Sequence, residues 1–94
     1  MPSPIRNNPD KQRYELEIDG QVVFAEYRQE GAVLTIVHVE APESLRGTGA
    51  AGRFMQAMME KVREERLQVV PVCSYAAAWL SRHKEYQDLI AASR

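Results

Sequence analysis

Three observations predict an α/β domain built on one mixed sheet. Apolar and charged residues alternate over positions 14–18, an Asp19-Gly20 pair follows, and a second β-rich run returns over 21–28. A third, β-branched run over 33–39 ends in a loop that delivers two glycines to a long amphipathic segment. A short apolar run over 67–72 comes after that segment. Together these predict three antiparallel strands leading into a βαβ unit, with a long crossover helix and short C-terminal helices.

Residues 1–10 hold three prolines and two asparagines and read as a tail or lead-in, leaving 11–94 as a single domain. Asp19-Gly20 is a strong hairpin signal because both turn positions tolerate positive φ. Glu30-Gly31 makes the next reversal. Val33, Thr35, Val37 and Val39 alternate with Leu34, Ile36 and His38. Two largely apolar faces predict a strand covered on both sides. From about 49 to 66, Ala51, Phe54, Met55, Met58, Met59 and Val62 recur at helical spacing, with Arg53, Gln56, Glu60 and Glu64 on the wet face and Lys61 placed to pair with Glu65. Pro71 lacks a ladder donor, so the strand after the helix belongs at an edge or where it leaves its neighbour. Ser74 is expected to cap a helix over 75–81, and Tyr86, Leu89 and Ile90 to share the face of a last helical segment over 84–92.

Charged residues make up 27% of the 94-residue chain, and the formal net charge is −1 with both signs interspersed. That balance recommends neither a nucleic-acid nor an anionic-membrane surface. No apolar run approaches the roughly 20 residues of a membrane span, and the N-terminus lacks a signal-peptide core, so a cytoplasmic protein is expected. Cys73, the single cysteine, excludes an intrachain disulfide and a multi-cysteine zinc site, and no metal centre is expected.

A strand feeding a glycine turn into a helix N-terminus makes an anion cradle, since unpaired backbone N–H groups and the helix dipole converge there. The turn has no Gly-Lys-Ser/Thr ending, so it is not a nucleoside-triphosphate loop. It follows an antiparallel meander with the wrong glycine spacing for a dinucleotide fingerprint. What remains is Arg46-x-x-Gly49-x-Ala51, and on spacing alone Gly47 and Gly49 are equally consistent with a plain turn.

Cys73 falls at the carboxyl end of the strand after the crossover, where open α/β sheets bind ligands, and beside a helix N-terminus, which favours thiolate. The competing role is a small buried hydrophobe. His38, near the end of the central strand, is either a general base or a histidine hydrogen-bonded in the core, and Glu40 is a second base candidate. Trp79 reads as core. Glu26, Tyr27 and Arg28, on the second strand, are candidates to border a pocket, with nothing in the sequence to fix that role.

This order of elements resembles the Gcn5-related N-acetyltransferase (GNAT) superfamily, whose pyrophosphate loop reads Arg/Gln-x-x-Gly-x-Gly/Ala. Within it the chain is similar to a minimal, single-domain branch of about 90–100 residues. The likeness is carried by Tyr14-Glu-Leu, Asp19-Gly20, Tyr27, His38-Val39, Leu45-Arg-Gly-Thr-Gly49, Pro71-Val-Cys-Ser-Tyr75 and Arg82-His83, and spans 12–90. Three residues separate Pro42 from Arg46, where larger members usually have two; the minimal branch shares the longer spacing. Lys84 stands where that branch often has proline, which bears on a helix boundary and not on chemistry.

The resemblance implies a compact GNAT-like fold that transfers acetyl from acetyl-CoA to an amine, with a small molecule or a protein lysine as acceptor. It implies that Arg46, Gly47, Thr48, Gly49, Ala50 and Ala51 grip the coenzyme A pyrophosphate, and that Val37, His38 and Val39 lend backbone groups to pantetheine. Ser74 and Tyr75 would border the thiol end, and Arg82 and His83 would flank the adenosine end. Cys73 is the implied nucleophile of an acyl-enzyme; direct attack by the amine is the other route. A non-catalytic coenzyme A-binding module or subunit is the alternative reading. A thiol redox sensor is a third, and it lacks a resolving partner in the chain. Oligomeric state is open.

Overall fold

The computed structural model describes residues 5–91. The chain forms β1 (Arg6–Asn8), β2 (Arg13–Ile18), β3 (Gln21–Glu30) and β4 (Val33–Glu40), then a 3-10 turn (Glu43–Leu45), α1 (Ala50–Glu64), β5 (Gln68–Pro71) and α2 (Ser74–Arg82). A second 3-10 segment, Lys84–Leu89, closes the described chain. The sheet order is β1-β2-β3-β4-β5, antiparallel throughout except for the parallel β4–β5 pair that α1 connects.

The expected meander and βαβ unit are present, with one strand more. Arg6–Asn8, read from sequence as part of a tail, pairs antiparallel with β2. Its side chains show no apolar alternation. Cross-strand polar contacts tie it down instead: Tyr27 Oη donates to Asn7 Oδ1 at 2.5 Å and Asn8 Nδ2 donates to Glu15 Oε2 at 3.2 Å. Asp19 (φ 53°) and Gly20 (φ 77°) both adopt positive φ, as a tight hairpin between twisted strands requires.

α1 packs across β2, β3 and β5, and α2 lies against β4 and β5. Phe54, Met55, Met58, Met59 and Val62 are fully buried against Tyr14, Val23, Ala25, Leu34, Ile36 and Val69. Unbranched, polarisable methionines suit the irregular space between a helix and a twisted sheet. The wet face of α1 is exposed as expected, and Lys61 Nζ lies 3.6 Å from Glu65 Oε2. On α2, Trp79 is buried and stacks on Tyr86, whose hydroxyl donates to Glu60 Oε2 at 2.7 Å.

The helices cover one face of the sheet only. The expectation that the third strand is buried on both sides does not hold: Val37 and His38 are exposed, and Val22 and Val70 on neighbouring strands lie open on the same side. A register shift is the reason for part of this. Tyr27 pairs with Ile36 while Glu26 pairs with His38, so Val37 is an extra residue on β4. The bulge carries Val39 to the buried face, opposite Ala25, and turns His38 outward.

Pro71 sits at the outer strand, as expected. Gln68 and Val72 donate their N–H groups to Ala32 and Ile36 on the β4 side, so the donor that Pro71 lacks would point away from the ladder. Beyond β5, Ala91 N–H donates to Val69 O at 2.8 Å. The last segment is therefore a 3-10 turn ending in extended chain rather than a helix, though Tyr86 and Leu89 are buried as expected; position 92 lies outside the described residues.

On the helix-free face, Glu15 is buried beneath two arginines. Arg13 Nε donates to Glu15 Oε2 at 2.7 Å and Arg6 Nε lies 3.5 Å from Oε1. The Arg13 hydrogen bond, with smaller help from Asn8 and Arg6, holds the carboxyl below the usual range against the opposing effect of burial. A depressed folded-state value stabilises the fold above the unfolded pKa, and that stabilisation is lost as pH falls through the folded one. Thermal melts of Glu15→Gln should therefore show a lower Tm than the parent at pH 7, the gap narrowing below about pH 4. A gap independent of pH would contradict this.

Candidate functional site

The site begins where the two parallel strands part. Their last ladder pair is Ile36 and Pro71. The N–H groups of Val72 and Cys73 then both donate to the Ile36 carbonyl, at 3.1 and 3.0 Å. β5 ends there and the chain turns into α2, while β4 runs on to Glu40 paired with β3 alone. Residues 37–39 and 72–75 thus flank a gap in the sheet, with Val37, Val72 and Tyr75 exposed along it.

The glycine turn closes one end of this gap. After the 3-10 turn, buried Leu45 anchors the loop, and Thr48 Oγ1 donates to Leu45 O at 2.5 Å while accepting from Ala50 N–H at 3.3 Å. Gly47 (φ 80°) and Gly49 (φ 85°) flank that clamp in left-handed geometry, which any L side chain resists. Gly49 is the N-cap of α1, and its carbonyl accepts from Arg53 N–H at 3.0 Å. The first-turn N–H groups of Ala51 and Gly52 have no intrahelical acceptor, and no acidic side chain stands in that turn. They face a cleft of about 240 Å³ bounded by the glycine turn, Ala41, Arg46 and Tyr75. Donors, dipole and one guanidinium make this a fitting seat for a pyrophosphate. Arg46 Nε donates to Ala41 O at 3.2 Å, which holds the side chain beside the loop.

Tyr75 lines the cleft; burial raises its hydroxyl above the ordinary value, opposed by the nearby Arg82 charge. Cys73 is half-buried and packs on the core. It, and not Ser74, is the N-cap of α2: its backbone stays extended while its carbonyl accepts from Ala77 N–H at 2.9 Å, and Ser74 is the first helical residue. His38 projects from the helix-free face, its Nε2 2.9 Å from Glu40 Oε1 and its ring edge-on to Phe24. Arg82 is exposed beside Tyr75. His83 is engaged in packing: its ring stacks on Trp79 with centroids 3.7 Å apart, and its Nδ1 is 2.7 Å from Trp79 O.

The gap, the glycine turn, Tyr75 and Cys73 are thus brought together, and His38 with Glu40 lies on the opposite side of the sheet. A second concavity, of about 420 Å³, includes Glu26, Tyr27, Arg28 and Val37 together with residues 10–12. Sequence reasoning singled out the first three of these but missed 10–12, because nothing in a proline-flanked polar stretch signals a strand that folds back on the sheet.

The family model described as GCN5-related N-acetyl-transferase matches residues 13–89. A solution structure from Staphylococcus aureus, described as GCN5-like, superposes with a TM-score of 0.65 at 21% identity, covering 100% of this chain and 94% of its own. At that identity the likeness is one of fold.

The glycine turn yields a direct test. A Cβ on Gly49 would meet no atom within 4 Å, so Gly49→Ala introduces backbone strain without a clash. Chemical denaturation should show a loss of about 1 kcal/mol. An unchanged or raised stability would mean that the left-handed cap is not required.

Proposed function

This chain belongs to the GCN5-related N-acetyltransferase family, and from that premise we propose that it moves an acetyl group from acetyl-CoA to an amine. The observation that carries the reading is the coincidence of two features at one end of β4: a strand gap, and a helix N-terminus framed by two left-handed glycines. A pyrophosphate seated on the N–H groups of Ala51 and Gly52, with Arg46 beside it, directs the rest of an extended cofactor along the gap towards Cys73. Acetyl-CoA supplies an acyl thioester, activated for attack at its carbonyl.

The residues of the chain then divide the work. Gly47, Thr48, Gly49, Ala50 and Ala51 bind and orient the phosphates. Backbone groups of Val37, His38 and Val39, on the β4 edge left without a strand beyond Pro71, would bind pantetheine. Ser74 and Tyr75 would border the thiol end and Arg82 and His83 would flank the adenosine end, His83 with its Nε2 left for a phosphate contact by the Nδ1 contact to Trp79 O. The Cys73 sulfur would receive the acetyl group as the carbon–sulfur bond of the donor breaks, and the proton lost from the Cys73 thiol would pass to the departing sulfur. The acceptor amine then attacks the Cys73 thioester, passing its proton to a base and returning the thiolate. His38, oriented by Glu40, is the candidate base on the side of the sheet left open to an acceptor.

That open face also favours a second reading. Among the described residues no segment closes over it, as a coenzyme A-binding subunit completed by a partner would require. One pair of measurements separates the readings. Acetyl-CoA at about 100 times its Kd should stabilise the fold by about 2.7 kcal/mol, raising Tm. Intact-mass spectra after incubation should show one added acetyl group that Cys73→Ala abolishes. No Tm shift at millimolar cofactor would overturn the proposal. Acetyl transfer surviving in Cys73→Ala would assign direct attack, and binding without transfer to any amine would assign the module.

A further inference from the structure

The larger concavity, about 420 Å³, lies on the helix-free face and falls in the size range of small-molecule sites, roughly 300–1,000 Å³. Glu26 and Arg28 project into it from β3, since the alternating Ala25 and Tyr27 are buried on the helix side. Val37 ties it to the gap: it is the bulged residue of β4 and the first beyond the last β4–β5 pair. The concavity therefore opens beside the place where the strand gap emerges on the side opposite the helices.

Its charge pattern is specific. Asp10 and Glu26 supply two carboxylates, Lys11 and Arg28 two cations, and none of the four side chains enters an ion pair among the described residues. On the same face Glu15 is held by Arg13 and Arg6, and His38 Nε2 lies 2.9 Å from Glu40 Oε1, while Glu17 and Glu30 stand outside the lining of the concavity. A polyamine entering the concavity would face Lys11 and Arg28 unpaired, and a simple anion would face Asp10 and Glu26. A molecule with an ammonium and a carboxylate close together complements both sets. Glu26 also lies directly across from His38 on β4, so an amine held at Glu26 sits next to the imidazole.

We infer that this concavity is the acceptor subsite and that the acceptor is a small amine bearing a carboxylate, of the α-amino-acid type. The inference rests on the acetyl-transfer reading above. Its carboxylate pairs with Arg28 and Lys11, and its amine lies against Glu26 at the mouth of the gap.

Amide spectra of the isotope-labelled chain test this, titrated separately with coenzyme A and with matched pairs: each common α-amino acid and the amine left by its decarboxylation. At least one amino acid should perturb residues 26–28 and 37 and bind about tenfold or more tightly than its partner amine, the scale of one charge-assisted hydrogen bond. Arg28→Gln and Lys11→Gln should each reduce that preference while leaving the perturbation of residues 46–52 by coenzyme A unchanged. If coenzyme A binds but no pair discriminates, or the perturbed amides lie elsewhere, or the preference survives both substitutions, the acceptor site is overturned alone. If coenzyme A itself perturbs nothing, the acetyl-transfer reading falls with it.

Discussion

The carbonyl of Ile36 is the point at which the sheet divides. It accepts two consecutive N–H groups, from Val72 and Cys73, and after it β5 has no more ladder to form with β4. Satisfying both donors on one acceptor lets the chain leave the sheet without burying an unpaired amide. Pro71 cooperates, because its missing donor faces the outer edge and removes nothing from the β4 side. Every other feature of the site is arranged around this parting. The bulge at Val37 follows it on β4, Cys73 follows it on the other strand, and the glycine turn begins where β4 finally ends.

A helix layer on one face gives the gap two distinct sides. On the helix side the gap meets the N-terminus of α1, which is electropositive by construction and carries no acid in its first turn. The same helix supplies the core, since its methionine-rich stripe is the surface on which β2, β3 and β5 are packed. The glycine-framed helix N-terminus and the hydrophobic core therefore share one element, and damage to one is felt by the other. On the other side the sheet is open, and beside Val37 two carboxylates and two cations line a concavity without entering an ion pair among the described residues. A reaction joining an extended acyl donor to an amine suits such a two-sided opening, because the two partners approach without competing for one surface.

Much of this was legible in the residues. Asp19-Gly20 marked the hairpin, the 3.6-residue stripe from Phe54 to Val62 marked α1 and its buried face (at the start of the helix Ala50 is buried in place of Ala51), and Gly47 and Gly49 marked the turn whose left-handed φ angles only glycine adopts freely. The bulge was not legible. Residues 33–39 are mostly β-branched or apolar on both alternating sets, so a one-residue slip changes no visible pattern, yet it moves Val39 inward and His38 outward. β1 was hidden because asparagine and arginine carry no strand signal and its pairing rests on long-range contacts with Glu15 and Tyr27. His83 was expected to flank the adenosine end, while its stacking on Trp79 depends on the helix ending at Arg82. Local composition carried the elements; contacts between elements decided which side chains reach the gap.

In the proposed function one gap, opened at Ile36, holds the acyl donor between the glycine turn and Cys73. A crystal structure of the chain with coenzyme A tests it most directly. Pyrophosphate oxygens are expected within hydrogen-bond distance of the N–H groups of Ala51 and Gly52, and the pantetheine arm between residues 37–39 and 72–75 with its sulfur near Cys73. Coenzyme A bound with its phosphates away from the glycine turn, or with its thiol outside the gap, would contradict it.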